Sequence, residues 1–305
     1  MFLDIEKNKT YKRDNRTSFW VSIKFDESSG YVIYVAECLK DWFAYRFPDF
    51  FSSAGRQWQM SSKGKFYLDI DMFDSFDLDW ARLDRHLTFL GNECFWPNIL
   101  KPTCGSFSYL DVCIVRDYIL NTCDLSCRTV LGELFHNAKY GDISFTDRKA
   151  NILFLSTAVA EMINCSLGLS EELATAYLHN VVISSMPIDH EKLSNNLEYE
   201  LCASVANALR LPLIVPHVDG SRKRQVKGMS IAEKSDYWDA LMRDNCISLD
   251  GCDVREKIVI LIDDLYQSGF SMEKTAQFLK ICGAYKVYGF ACVKAMRDSD
   301  NTKEE

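Results

Sequence analysis

Residues 257–284 read KIVILIDDLYQSGFSMEKTAQFLKICGA. Ile258 to Ile262 form an unbroken aliphatic run in which every residue but Leu261 is β-branched, as suits a strand covered on both faces in a parallel sheet. Asp263 and Asp264 are expected to end that strand. Leu265 to Phe270 then make a loop containing the small pair Ser268 and Gly269. Ser271 is placed to cap a helix carried on by Met272, Thr275, Ala276 and Leu279 at helical spacing, and Gly283 closes it. A buried strand running straight into a capped helix commits this part of the chain to an α/β layer.

The turn between them has its own chemistry. Small residues entering a helix present free backbone N–H groups and the positive end of the helix dipole, which together can hold a phosphate. Two adjacent carboxylates at a strand's carboxyl end lie where open α/β sheets bind ligands, and they suit the hydroxyls of a sugar. An ordinary strand-to-helix turn, with the aspartates capping the helix, accounts for the same residues.

With 305 residues, 48% of them hydrophobic, the chain can bury one large core or two medium ones. Its net charge of −8 argues against wrapping nucleic acid. No segment approaches the roughly 18 uninterrupted apolar residues of a membrane span. The start, MFLDIEKNKTYKRDNR, lacks an apolar signal core. A cytoplasmic protein with no membrane partner is the expectation. The 12 cysteines contain no C-x-x-C, which predicts reduced and mostly buried thiols. Cys123 and Cys127, four apart on a predicted helix, lack a second ligand pair for a metal.

In chain order, residues 17–37 predict a hairpin, Leu39 to Arg46 a short helix, Phe66 to Phe73 a strand and Trp80 to Asn92 a helix. The acidic run Asp69, Asp71, Asp74, Asp77, Asp79 lacks the mid-loop glycine and terminal glutamate of a calcium loop. The turn-forming KPTCGS marks a boundary between an N-terminal α+β domain of unknown role (1–105) and a second domain (106–305). The second domain opens with a helical lead-in (106–178), with apolar stripes in 107–121, 124–140, 148–164 and a further helix at 170–178. Within it, LGELFHNAKYGD sets His136 and Lys139 on one helix face; taken alone, these are surface residues.

The core (179–295) alternates. Val181 to Ile183 predicts a strand ending at Ser184, Ser185, Met186 and Pro187. Glu191 to Arg210 is a long helix, Pro212 to Val215 a strand, and Lys286 to Val293 the last strand. Arg222, Lys223, Arg224 and Lys227 form a dense basic cluster in an acidic chain, either a solvated loop or a mobile anion clamp. Strand–helix alternation implies a parallel sheet flanked by helices, with Ser184 to Pro187, the basic loop and Asp263 to Ser271 around one crevice.

IVILIDDLYQSGFSM resembles the phosphoribosyl-pyrophosphate signature of type I phosphoribosyltransferases: hydrophobic residues, two acids, then a short serine-glycine loop. LFHNAKYGD is similar to the H-x-x-K-Y-like segment of the ComF family of phosphoribosyltransferases. VVISSMPID, ELCASVANALRLPL and SRKRQVKGMSIAEK follow in that family's order, over roughly residues 128–295. The resemblance implies a C-terminal type I phosphoribosyltransferase-like domain that takes a small-molecule phosphoribosyl donor and transfers ribosyl 5-phosphate to a nucleophile. It implies that Asp263 and Asp264 bind the ribose 2- and 3-hydroxyls, and that Gln267, Ser268, Gly269, Phe270 and Ser271 hold the 5-phosphate. Ser184, Ser185 and Met186 would form the pyrophosphate loop, with Arg222, Arg224 and Lys227 closing over it. Mg2+ would bridge pyrophosphate and ribose, touching Asp263 and Asp264 only through hydroxyls or water.

Loss of pyrophosphate leaves an oxocarbenium-like centre, so catalysis of this kind is mostly positioning and electrostatics. The chain departs from the pattern at Gln267, where some members carry an acid, because an amide accepts no proton at neutral pH. Phe270 replaces a small residue and narrows the loop, and the cysteine zinc ribbon of ComF relatives is missing. The alternative is a noncatalytic nucleotide or phosphoribosyl-pyrophosphate sensor whose N-terminal domain recruits a protein partner or nucleic acid.

Overall fold

A computed structural model describes residues 8–15, 17–28, 30–52, 56–71, 74–99, 107–169, 180–193, 195–220 and 229–296. The chain divides into two compact units: Met1–Asn98 with Cys165–Gly168, and Ile99–Asn164 with Leu169–Glu305.

The first unit contains β1 (Asn8–Tyr11), β2 (Val21–Asp26), β3 (Gly30–Val35), α1 (Lys40–Arg46), α2 (Asp49–Ser52), β4 (Gln59–Met60), β5 (Phe66–Ile70) and α3 (Trp80–Asn92). Its strands form an antiparallel sheet in the order β1-β2-β3-β5-β4. Alternation explains the inward face: Val21 and Ile23 on β2, Ile33 and Val35 on β3, and Leu68 and Ile70 on β5 are buried. Aromatic rings fill the rest, with Phe19 and Trp42 at 4.9 and 5.0 Å from Trp96. Asp79 caps α3 by accepting from Arg82 N–H.

The second unit contains β6 (Val112–Tyr118), α4 (Val130–Tyr140), α5 (Phe145–Leu167), β7 (Val181–Ser185), β8 (Ile188–Asp189), α6 (Leu197–Leu209), β9 (Leu213–Ile214), β10 (His217–Val218), α7 (Ile231–Arg243), β11 (Ile247–Ser248), β12 (Ile258–Tyr266), α8 (Phe270–Ile281) and β13 (Lys286–Lys294). The last turn of α5 belongs to the first unit. A five-stranded sheet runs β6-β13-β12-β7-β9 with every neighbouring pair parallel, flanked by helices. A smaller sheet runs β11-β10-β8. All five residues of β7 are buried, as are Val259 to Ile262 of β12, the continuous apolar pattern of a sheet covered on both sides.

Several expectations are corrected. The stripe at 107–121 is no helix: Val112 to Tyr118 form β6, paired along β13. Val112, Ile114 and Val115 are β-branched, and a short run buried on both faces has no periodicity to separate strand from helix. Cys123 and Cys127 lie in an exposed loop before α4. Among the described cysteines only Cys94, Cys113, Cys202 and Cys292 are buried, and none is in a disulfide. α6 begins at Leu197, after Asn196 caps it, because His190–Lys192 form a separate 3-10 turn. The stretch 170–178 lies outside the described residues. Among those residues α5 alone, at 23 residues, is long and apolar enough to cross a membrane, and 56% of its apolar window is buried inside the protein.

Candidate functional site

β12 is longer than its aliphatic run suggests. It continues through Asp263 and Asp264 to Tyr266, paired with β13 as far as Tyr266 opposite Lys294. β7 accompanies it only to Ser185 opposite Ile262. The two aspartates therefore belong to the part of a central strand that outruns its neighbour, at the carboxyl end of the sheet.

Asp264 is buried, and Lys139 of α4 donates to both its oxygens, Nζ to Oδ1 at 2.9 Å and to Oδ2 at 2.7 Å. Burial pulls the lysine's pKa down, but the charge and hydrogen bonds of Asp264, with the charge of Asp263, outweigh it and hold Lys139 above its ordinary value. Asp263 is pushed the other way. Burial first, then the Asp264 charge, raises its carboxyl to about 7, against the opposing effects of Lys139 and of the Leu265 and Asp264 N–H groups. Sequence reasoning leaves Lys139 on the surface. Its local signals are its position on α4 and its place in the ComF-like segment LFHNAKYGD, neither of which names its partner, 125 residues away.

The turn into α8 is capped by Gly269, not by Ser271. Gly269 has φ +81°, and a Cβ there would stand 2.1 Å from Tyr266 Oη, so position 269 requires glycine on both counts. Ser271 becomes the second helical residue. Gly269 has no side chain with which to cap α8; Phe270 N–H donates to Ser268 Oγ at 3.4 Å, and the following N–H groups of the first turn are left pointing out of the helix end. The Phe270 side chain is 7% exposed and packs into the core. Beneath the turn, buried Lys294 donates from Nζ to the carbonyls of Gln267 at 3.1 Å and Ala295 at 2.8 Å. This lysine is a second residue that sequence reasoning missed; its signal is a cation ending the apolar run KVYGFACVK.

Ser184 and Ser185 are fully buried at the end of β7, their hydroxyls donating to the carbonyls of Ser185 and Met186 at 3.0 and 2.9 Å. Met186 is buried beside them. Arg222, Arg224 and Lys227 lie outside the described residues. Just before that stretch, Gly220 backs onto buried Asp189, whose Oδ2 would stand 2.6 Å from a Cβ at 220. Just after it, Ser230 and Glu233 form a capping box that starts α7.

No family model matches the chain, and no curated protein matches it. Among solved structures it is similar to the crystal structure of a purine phosphoribosyltransferase from Pyrococcus horikoshii Ot3, at 14% identity over 50% of this chain and 93% of that one, with a TM-score of 0.27. A likeness that shallow carries no weight for activity.

Among the described residues no group of three or more His, Cys, Asp and Glu side chains is arranged to hold a metal. Asp263 and Asp264 offer hard oxygen donors of the kind Mg2+ accepts, short of a full protein cage. The arrangement joins acceptors for hydroxyls, a cation on one of them, and a helix end with unused N–H donors.

Proposed function

We propose that the second unit binds a ribosyl 5-phosphate donor, phosphoribosyl pyrophosphate, and acts as a phosphoribosyltransferase of the type I kind, nearest in motif to the ComF group. One observation carries the reading: the aspartate pair at the open carboxyl end of β12 stands directly ahead of a helix that starts on a left-handed glycine, in whose first turn Ser268 Oγ takes only the Phe270 N–H. Carboxylates followed at that spacing by free N–H groups match the two ends of a ribose 5-phosphate.

In this reading the Asp263 and Asp264 carboxylates accept hydrogen bonds from the ribose hydroxyls. The N–H groups at the start of α8 hold the 5-phosphate, so that C1 faces the end of β7. The main chain from Ser184 to Met186 lines the pyrophosphate, because the hydroxyls of both serines are turned to carbonyls. Arg222, Arg224 and Lys227 supply positive charge to the pyrophosphate. Asp263 and Asp264 would hold Mg2+ through water or ribose hydroxyls, and the ion would supply positive charge against the leaving pyrophosphate. Fixing the ribose at three points is the chain's main contribution to rate.

Titration calorimetry with phosphoribosyl pyrophosphate and Mg2+ tests the proposal. Binding by the wild type that is lost in Asp263→Asn/Asp264→Asn supports it; no binding, or equal binding by both, refutes it. Binding without turnover is the second reading, favoured by Gln267 in the place of an acid and by the hold of Lys139 on Asp264. Pyrophosphate release, assayed against bases, nucleosides and amines, separates the two. A protein partner for the first unit is part of that second reading.

A further inference from the structure

Lys139 does more than neutralise a buried acid. Its ammonium has three N–H donors, and two go to the Asp264 oxygens at 2.9 and 2.7 Å. The third has no protein acceptor among the described residues. The side chain is 30% exposed, so this donor is open to a ligand. Phe135 and Tyr140 of the same helix hold the ammonium in place, with Nζ 5.2 and 5.9 Å from their ring centres. Each Asp264 oxygen, in turn, keeps a second lone pair.

The charge at this point selects among ligand groups. Two carboxylates and one ammonium sum to −1 when all are ionised. A phosphoryl or pyrophosphate oxygen would add negative charge to the cluster. A hydroxyl adds none, and it can donate and accept at once.

We infer that Lys139 is a specificity-determining residue which, together with Asp264, grips one hydroxyl of the ribose ring: the hydroxyl donates to a carboxylate oxygen and accepts the third N–H of the ammonium. This rests on the ribosyl-phosphate reading above. It makes Lys139 and Asp264 one recognition unit, and leaves Asp263 to the neighbouring hydroxyl.

Affinities for ribose 5-phosphate and its 2-deoxy and 3-deoxy analogues, measured by calorimetry on the full chain, test it. The wild type should bind each deoxy analogue about tenfold or more weakly than ribose 5-phosphate, as expected when a charge-assisted hydrogen bond is lost. Lys139→Met should abolish discrimination against one analogue and keep it against the other. General damage to the site cannot produce that pattern, because it would weaken all three ligands together. Equal discrimination in Lys139→Met and wild type, or a uniform weakening of all three ligands, overturns the inference while leaving the ribosyl-phosphate reading intact. If the wild type binds none of the three, nor phosphoribosyl pyrophosphate, the underlying reading fails and this inference with it. Should Lys139→Met not fold, Lys139→Arg reads the same ratios: the planar guanidinium cannot reproduce the compact ammonium, so ratios unchanged from wild type overturn the inference.

Discussion

The Tyr266 hydroxyl occupies the space that a side chain on Gly269 would need, 2.1 Å from the position of a Cβ there. The last residue of β12 thus dictates how the chain enters α8. Gly269→Ala has to meet that contact and a φ of +81° at once. A loss of about 2–4 kcal/mol is expected from left-handed strain and overpacking together. Urea denaturation measures it, and a loss under about 1 kcal/mol would mean the turn adapts without its glycine.

Asp263 should give the protein a pH-dependent stability that one substitution removes. Burial and the Asp264 charge raise its carboxyl from 3.8 in the unfolded chain to about 7 when folded. Folding therefore favours the protonated form: the contribution is complete below 3.8 and is lost as pH rises toward 7. Asp263→Asn, neutral at every pH, should gain stability relative to wild type as pH rises from about 5 to about 8. Parallel pH profiles of the two proteins in urea melts would sink this expectation.

Lys294, at 1% exposure, ties the turn to the end of β13 through the carbonyls of Gln267 and Ala295. Lys294→Met keeps most of the stem's packing and removes the donors. The orphaned carbonyls should cost roughly 1–3 kcal/mol in urea, and affinity for ribose 5-phosphate should fall as the turn loosens. A variant as stable as wild type would show that the packed stem, and not the ammonium, holds the turn.

Glu273 on α8 accepts from Ser108 Oγ and from Tyr109 N–H, each at 2.6 Å, although burial raises its pKa. It anchors the approach to β6. Glu273→Ala leaves both donors unmet and should cost about 2–3 kcal/mol, while Glu273→Gln, which retains an acceptor, should cost clearly less. Equal losses from the two would assign the effect to packing alone.

How much could be read in advance depends on how far apart the interacting residues are in the chain. Ile258 to Ile262, the aspartate pair, the serine-glycine turn and the helix to Gly283 are legible because each signal lies within a few residues of what it controls. The hairpin of β2 and β3 and the helix α3 are legible for the same reason. β6 is not: Val112 to Tyr118 becomes a strand because β13, more than 170 residues later at each paired position, offers a ladder. The end of β12 is similar, since β13 continues beside it to Tyr266 and carries the strand past the aspartates.

The sequence by itself determined that a buried strand, two acids and a glycine-bearing turn lead into a helix, because local sterics and periodicity are written in neighbouring residues. Only the tertiary structure decided that Gly269 is the cap, through Tyr266 and its left-handed backbone. Only the tertiary structure brought Lys139 onto Asp264 and Lys294 under the turn. Charge acts through space, and the sheet brings to one end residues that the chain keeps 125 positions apart.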